Sequence, residues 1–276
     1  MLDCKLIAFD MDGTFLDSAK RIIPKNMAAL AAAAERGIMP VPATGRKYDG
    51  IPPELRGLPF MRYYICINGA HVYDAREDKT LYEANIPLAD ALGFYAEMDK
   101  LPVLYDCYQD NLGFMTQAMY DKAEEYISDP GILRLVKELR IPVPELKAYL
   151  AEKGESVQKL QVYFADLELR ARELERLPRL FPELLFSTSV SNNIEINSRA
   201  AGKGNGLAAL CRVLGIDTAQ CAAFGDSSND DDLLRAAGLG VAMANALDST
   251  KRAADVVTLS NDDAGVAAGI EKYIFN

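Results

Sequence analysis

Two carboxylates stand two residues apart at Asp10 and Asp12, straddling Met11. If the chain is extended there, both side chains leave the same side of the backbone. Such a pair suits a metal ion, or a nucleophile beside an acid/base group. Asp226, Asn229 and Asp230 form a second oxygen-rich cluster that can complete an oxygen-ligand site. Thr44 and Lys203 offer the hydroxyl and the cation that a phosphoryl group needs. Taken alone, Asp12-Gly13 and Asp230-Asp231-Asp232 also read as turn and helix-cap chemistry, which favours the same residues. Asp231 and Asp232 are read as first-turn helix charges.

Composition narrows the chemistry. The single histidine, His71, cannot by itself build a zinc site of the His/Cys kind. The five cysteines are scattered without a Cys-x-x-Cys pair, and read as reduced, buried thiols. A catalytic metal must then be held by oxygen, which favours Mg²⁺. The net charge of −10 repels nucleic-acid backbone, so a nucleic-acid role is disfavoured. No apolar run approaches the roughly 20 residues that span a bilayer. Met1–Asp10 lacks the basic patch and apolar stretch of a signal peptide, so the cytoplasm is the expected location. Gly202-Lys203-Gly204-Asn205-Gly206 is glycine-rich but lacks dinucleotide-binding spacing.

These residues need elements that gather them. Lys5–Phe9 is a short apolar run breaking into Asp10, as a buried parallel strand does. A helix is expected over Pro24–Arg36, with Pro near its start and Gly37 past its end. Ile38–Ala43 and Tyr63–Ile67 read as the second and third strands of an open parallel sheet. Pro40 and Pro42 remove two donors on one side of the second strand, so pairing on that side should be weak. In such sheets ligands bind beyond the carboxyl ends of the strands. After Leu81 the texture changes to a hairpin about Gln109–Gly113 and a mixture of helices and strands, an inserted α+β domain. The parallel texture resumes after Ser198, with Cys221–Phe224 feeding Asp226. The domains expected are 1–81, 82–197 and 198–276, the first and last forming one Rossmann-like α/β core.

Asp10-Met11-Asp12-Gly13-Thr14, Thr44-Gly45-Arg46, Lys203-Gly204 and Gly225-Asp226-Ser227-Ser228-Asn229-Asp230 resemble, in order, the four motifs of haloacid dehalogenase superfamily phosphatases. Ile67-Asn68-Gly69-Ala70, Val241–Ala246, Ala254–Thr258 and Asn261–Val266 are similar to the Cof-type branch. Motifs one and two are 34 positions apart and motifs two and three 159 apart, so a cap domain fits only between the second and third. The resemblance implies Asp10 as nucleophile, Asp12 as general acid/base, and Mg²⁺ on the Asp10 and Asp226 carboxylates and the Asp12 carbonyl. It implies Thr44, Gly45, Lys203 and Asn229 at the phosphoryl group and Arg46 at the substrate. Asp230 supports the metal shell or Lys203. The activity implied is hydrolysis of small phosphorylated metabolites, sugar phosphates foremost, through an aspartyl-phosphate. A sugar phosphomutase and a non-catalytic phospho-ligand sensor are the alternatives. The partner expected is that metabolite, with neither nucleic acid nor membrane.

Overall fold

Leu6-Ile7-Ala8-Phe9 is apolar at every position and buried at every position, as a strand covered on both faces must be. The computed structural model describes residues 3–275. The chain divides into two compact units, Met1–Glu83 with Gly202–Asn276, and Ala84–Ala201. The first unit opens with β1 (Leu6–Phe9), α1 (Pro24–Glu35), β2 (Met39–Pro42), α2 (Pro53–Arg56), β3 (Tyr63–Cys66), β4 (His71–Asp74) and β5 (Lys79–Glu83). The second contains α3 (Leu88–Met98), β6 (Val103–Gln109), β7 (Leu112–Thr116), α4 (Gln117–Asp121), α5 (Ala123–Tyr126) and α6 (Pro130–Leu139). It continues with β8 (Arg140–Val143), α7 (Leu146–Lys153), β9 (Lys159–Phe164), α8 (Leu167–Leu180), β10 (Leu184–Ser187) and β11 (Asn193–Ser198). The first unit then resumes with α9 (Lys203–Leu214), β12 (Cys221–Gly225), α10 (Asp231–Ala236), β13 (Leu239–Ala242), α11 (Asp248–Ala253), β14 (Val256–Val257) and α12 (Gly265–Tyr273).

The first unit is built on a parallel sheet in the order β14-β13-β12-β1-β2. The crossings place β1 between β12 and the edge strand β2, so the ends of three neighbouring strands converge. Phe9 is level with Phe224 and with Pro42, which sets Asp10 beside the segment leading to Asp226 and beside Ala43-Thr44. The third strand departs from the expected parallel sheet. It hydrogen-bonds instead with β4 and β5 in a separate antiparallel sheet, and meets β2 only through one bridge, Ala43 to Ile65. The prolines are the cause. Met39 and Ala43 donate their N–H groups to Lys5 O and Phe9 O at the two ends of β1, so the alternate positions 40, 42 and 44 face β3. Two of those are prolines without donors, and only Thr44 N–H reaches Ile65 O, at 2.8 Å.

The second unit carries a six-stranded sheet ordered β10-β11-β9-β6-β7-β8. Its Asp110-Asn111 turn has φ of 51° and 59° at the two loop residues, the left-handed pair that a two-residue hairpin requires. Leu160, Val162 and Phe164 of β9 join one apolar cluster with Tyr105, Cys107 and Phe114. On the other face, Leu104, Met115 and Tyr163 join a second apolar cluster, and buried charged residues lie among them. Arg140 Nε pairs with Asp106 Oδ2 at 2.8 Å, and Lys159 Nζ with Glu195 Oε1 at 2.9 Å. Among the described residues all five cysteines are free thiols, and no helix is long and apolar enough to cross a membrane.

Candidate active site

Asp10 follows β1 directly, and its N–H still donates to Phe224 O at 3.0 Å, which continues the ladder to the strand end. Asp226 follows β12, and Asp230 lies in the single helical turn after it. One oxygen from each of Asp10, Asp226 and Asp230 lies within 4.8 Å of the others. Lys203, the first residue of α9, is fully buried between two of them. Its Nζ donates to Asp10 Oδ1 at 2.5 Å and to Asp230 Oδ1 at 2.6 Å. The other Asp230 oxygen accepts the N–H groups of Asp226 and Ser227, at 2.9 and 3.0 Å. Asp230 therefore fixes both the lysine and the loop that carries Asp226.

Thr14 and Gly13 complete this corner. Thr14 Oγ donates to Asp226 Oδ1 at 3.0 Å. Gly13 sits at φ +85°, and a Cβ there would lie 2.5 Å from Asp226 Oδ2. A side chain at 13 and the carboxylate at 226 cannot coexist in this arrangement, which is the physical reason for glycine after Asp12.

The electrostatics follow from burial. Three carboxylates share one ammonium, a net deficit of two positive charges. Desolvation raises the Asp10 carboxyl well above its ordinary range; Lys203 opposes this, and Asp230 and Asp226 add to it. Desolvation, with Asp230, also lifts Asp226 to about 7. Lys203 is held as the cation: burial works against it, and Asp10 and Asp230 more than compensate. An all-oxygen donor set lacking two positive charges fits a hard divalent cation.

Asp12 lies outside this cluster. Its two oxygens accept Arg46 Nε and Nη2, both at 2.7 Å, in the bidentate fork favoured by guanidinium and carboxylate. Lys20 Nζ adds a contact at 3.0 Å. Burial would raise the Asp12 carboxyl, but Arg46 and then Lys20 outweigh it and hold it far below the ordinary range. Arg46, expected at the substrate, thus engages Asp12, and its Nη1 engages Gly50 O at 2.8 Å.

The structure brings Asp10, Lys203, Asp226 and Asp230 into direct contact or close approach, with Thr44 buried one strand away. Thr44 Oγ accepts the Arg46 N–H at 3.2 Å across Gly45. Asn229 is buried beside Asn68, donating Nδ2 to Asn68 Oδ1 at 3.2 Å. Asp231 and Asp232 open α10 and serve as ties, accepting Thr250 Oγ at 2.7 Å and the Gly204 N–H at 2.9 Å. Sequence reasoning missed Thr14 and Lys20. Thr14 was visible within the first motif, whereas nothing in Ser18-Ala19-Lys20 marks that lysine as a partner of Asp12.

The model of the haloacid dehalogenase-like hydrolases matches residues 7–270. The chain belongs to that family. It is 29% identical over 279 residues to the phosphatase YwpJ of Bacillus subtilis, covering 95% of this chain and 97% of that one. It is 30% identical over 284 residues to the B. subtilis 5-amino-6-(5-phospho-D-ribitylamino)uracil phosphatase YwtE, covering 98% of each. A solved haloacid dehalogenase-like hydrolase from B. subtilis superposes with a TM-score of 0.83 at 28% identity, over 98% of this chain and all of that one. This haloacid dehalogenase-like chain is accordingly a phosphatase of the Cof type, an α/β core carrying an inserted α+β domain.

Proposed function

We propose that the chain hydrolyses phosphomonoesters of sugars or sugar alcohols, with Mg²⁺ held by Asp10, Asp226 and the Asp12 carbonyl. The observation that carries this is the buried trio Asp10, Asp226 and Asp230 around the single ammonium of Lys203. Asp230 is pinned by two backbone N–H groups, which suits it to support Lys203 and the metal ligands rather than to react. A cation bound there supplies neutralising charge to the phosphoryl oxygens and to the crowded carboxylates.

Asp10 is the nucleophile. Its carboxylate oxygen forms a bond to phosphorus as the bond to the leaving alkoxide breaks, and Asp12 delivers a proton to that alkoxide. Water then attacks the aspartyl-phosphate, gives its proton to Asp12, and phosphate departs. Lys203 and Thr44 donate to the phosphoryl oxygens in both displacements. Asp12 is a carboxylate while Arg46 grips it, so its acid role requires Arg46 to release it when substrate binds. The polyol preference rests on the ribityl phosphate in the name of one relative.

Phosphate release from a panel of sugar, polyol and nucleotide monophosphates, with Mg²⁺ present or chelated, tests the reading. Wild type should act best on sugar or polyol esters, and Asp10→Asn should lose at least about a thousandfold in kcat. Turnover that persists in Asp10→Asn, or after thorough chelation, would overturn it.

A further inference from the structure

Ile67, Asn68 and Gly69 lie in succession at φ of 53°, 53° and 81°. Left-handed backbone is uncommon outside glycine, and for a β-branched residue such as Ile67 it is a strained outlier. All three residues are buried. Strain of this kind persists only where the surroundings over-determine it, and the surroundings here are the proposed phosphoryl site. Ile67 N–H donates to Arg46 O at 3.0 Å, and Asn68 N–H donates to Thr44 O at 3.0 Å. Gly202 N–H donates to Asn68 O at 2.8 Å, immediately before Lys203. Gly69 packs so closely on the same turn that a Cβ would lie 2.0 Å from Gly202 O. Finally, the Asn68 side chain accepts from Asn229. One strained turn thus touches the segments carrying Thr44, Lys203 and Asn229.

We infer that Asn68 is a positioning residue for phosphoryl recognition, setting which end of the Asn229 carboxamide faces the phosphoryl group. The inference rests on the phosphatase reading above and on Asn229 as a phosphoryl-binding side chain. Phosphoryl oxygens only accept hydrogen bonds, so Asn229 must present its Nδ2 to them. In the structure Nδ2 is given to Asn68, while Asn229 Oδ1 is buried without a hydrogen-bond partner. Such an acceptor is costly to leave unmade. Turning both carboxamides over resolves the conflict: Asn68 Nδ2 then donates to Asn229 Oδ1, and Asn229 Nδ2 becomes free for phosphoryl oxygen. Only a side chain with both donor and acceptor can take part in this exchange, and the position also demands tolerance of left-handed φ. Asparagine meets both demands; glycine meets only the second, and aspartate accepts without donating.

The test uses Asn68→Gly, which keeps the backbone conformation, Asn68→Asp, and each in an Asn229→Ala background. Readouts are kcat and KM for p-nitrophenyl phosphate, inhibition by orthovanadate, and Tm. Wild-type turnover and vanadate inhibition come first: their absence would sink the phosphatase reading itself. With wild type active, Asn68→Gly should lose about tenfold in kcat/KM and in vanadate affinity, the scale of one hydrogen bond. Asn68→Asp should lose more, because its carboxylate holds Asn229 Nδ2 away from the phosphoryl group. Asn68→Gly should cost nothing further once Asn229 is alanine. Activity within twofold of wild type in Asn68→Gly would overturn the inference. So would full, independent losses from the two positions, or a lowered Tm with unchanged vanadate affinity.

Discussion

Replacing His71 by glutamine isolates a single buried proton site, because the chain has one histidine. His71 lies on β4, directly across from Cys66, the residue before the strained 67–69 turn. It is 3% exposed, its Nε2 meets Thr80 Oγ at 2.9 Å, and its Nδ1 has no hydrogen-bond partner. Desolvation pushes its pKa down from 6.5 to about 4. The sign follows directly. Between those two values the unfolded chain binds the proton more tightly than the folded one, so stability falls as pH falls through the window. It is unaffected above about 7, and the loss stops growing below about 4. At about 1.4 kcal/mol per pH unit, the loss is about 2 kcal/mol at pH 5 and about 3 kcal/mol at pH 4. Asp10 and Asp226 work in the opposite direction, since burial raises both and their stability contribution is lost as pH rises. Urea unfolding of wild type and His71→Gln from pH 7.5 to 4 therefore gives the His71 contribution as the difference between two curves. The lone ring also gives one assignable imidazole signal in a proton spectrum, expected to show no inflection above pH 5. Parallel stability curves, or an imidazole titrating near 6.5, would refute the desolvation argument.

Two further perturbations probe charge placed where water is scarce. Arg140→Met leaves the fully buried Asp106 carboxylate without its cation and should cost about 3–5 kcal/mol in urea unfolding; adding Asp106→Leu should restore most of that. A double-mutant cycle of Asp12→Asn and Arg46→Met should show a coupling of about 1–3 kcal/mol at pH 7, discounted for the partial exposure of both side chains. A coupling near zero would mean that the bidentate contact does not hold Asp12.

Much of the fold was legible because local rules and burial agree. Pro24 and Gly37 bracket a helix that ends at Glu35, and Pro40 and Pro42 foretold the weak side of β2. What failed was the inference from weak pairing to topology: a strand denied donors by its neighbour finds them elsewhere, and β3 found β4. The hairpin of β4 and β5 went unread because β5 is half-exposed and polar, Lys79-Thr80-Leu81-Tyr82-Glu83, without clean alternation. In the site, Asp10, Asp226 and Asp230 were readable from their strand-end positions. The grip of Arg46 on Asp12 was not, since it depends on the path of 33 intervening residues.

That grip changes how the Asp10/Asp12 pair must work. Environments that push two neighbouring pKa values apart usually reveal which group is acid and which is base. For the roles proposed above, the chain's own surroundings push them the wrong way: burial raises Asp10, the proposed nucleophile, while Arg46 lowers Asp12, the proposed acid. Both inversions have to be undone by what binds. A cation bound at the carboxylate trio would lower Asp10 toward ionisation, and a dianionic phosphoryl group competing with Asp12 for Arg46 would raise Asp12 toward protonation. On the proposed mechanism, binding of metal and binding of phosphate would therefore be coupled through these two aspartates. Saturating phosphate should then tighten Mg²⁺ binding by the same factor that Mg²⁺ tightens phosphate binding. Calorimetric titration of each ligand in the absence and presence of the other measures that factor, and a value of one would show that the two inversions are independent of binding.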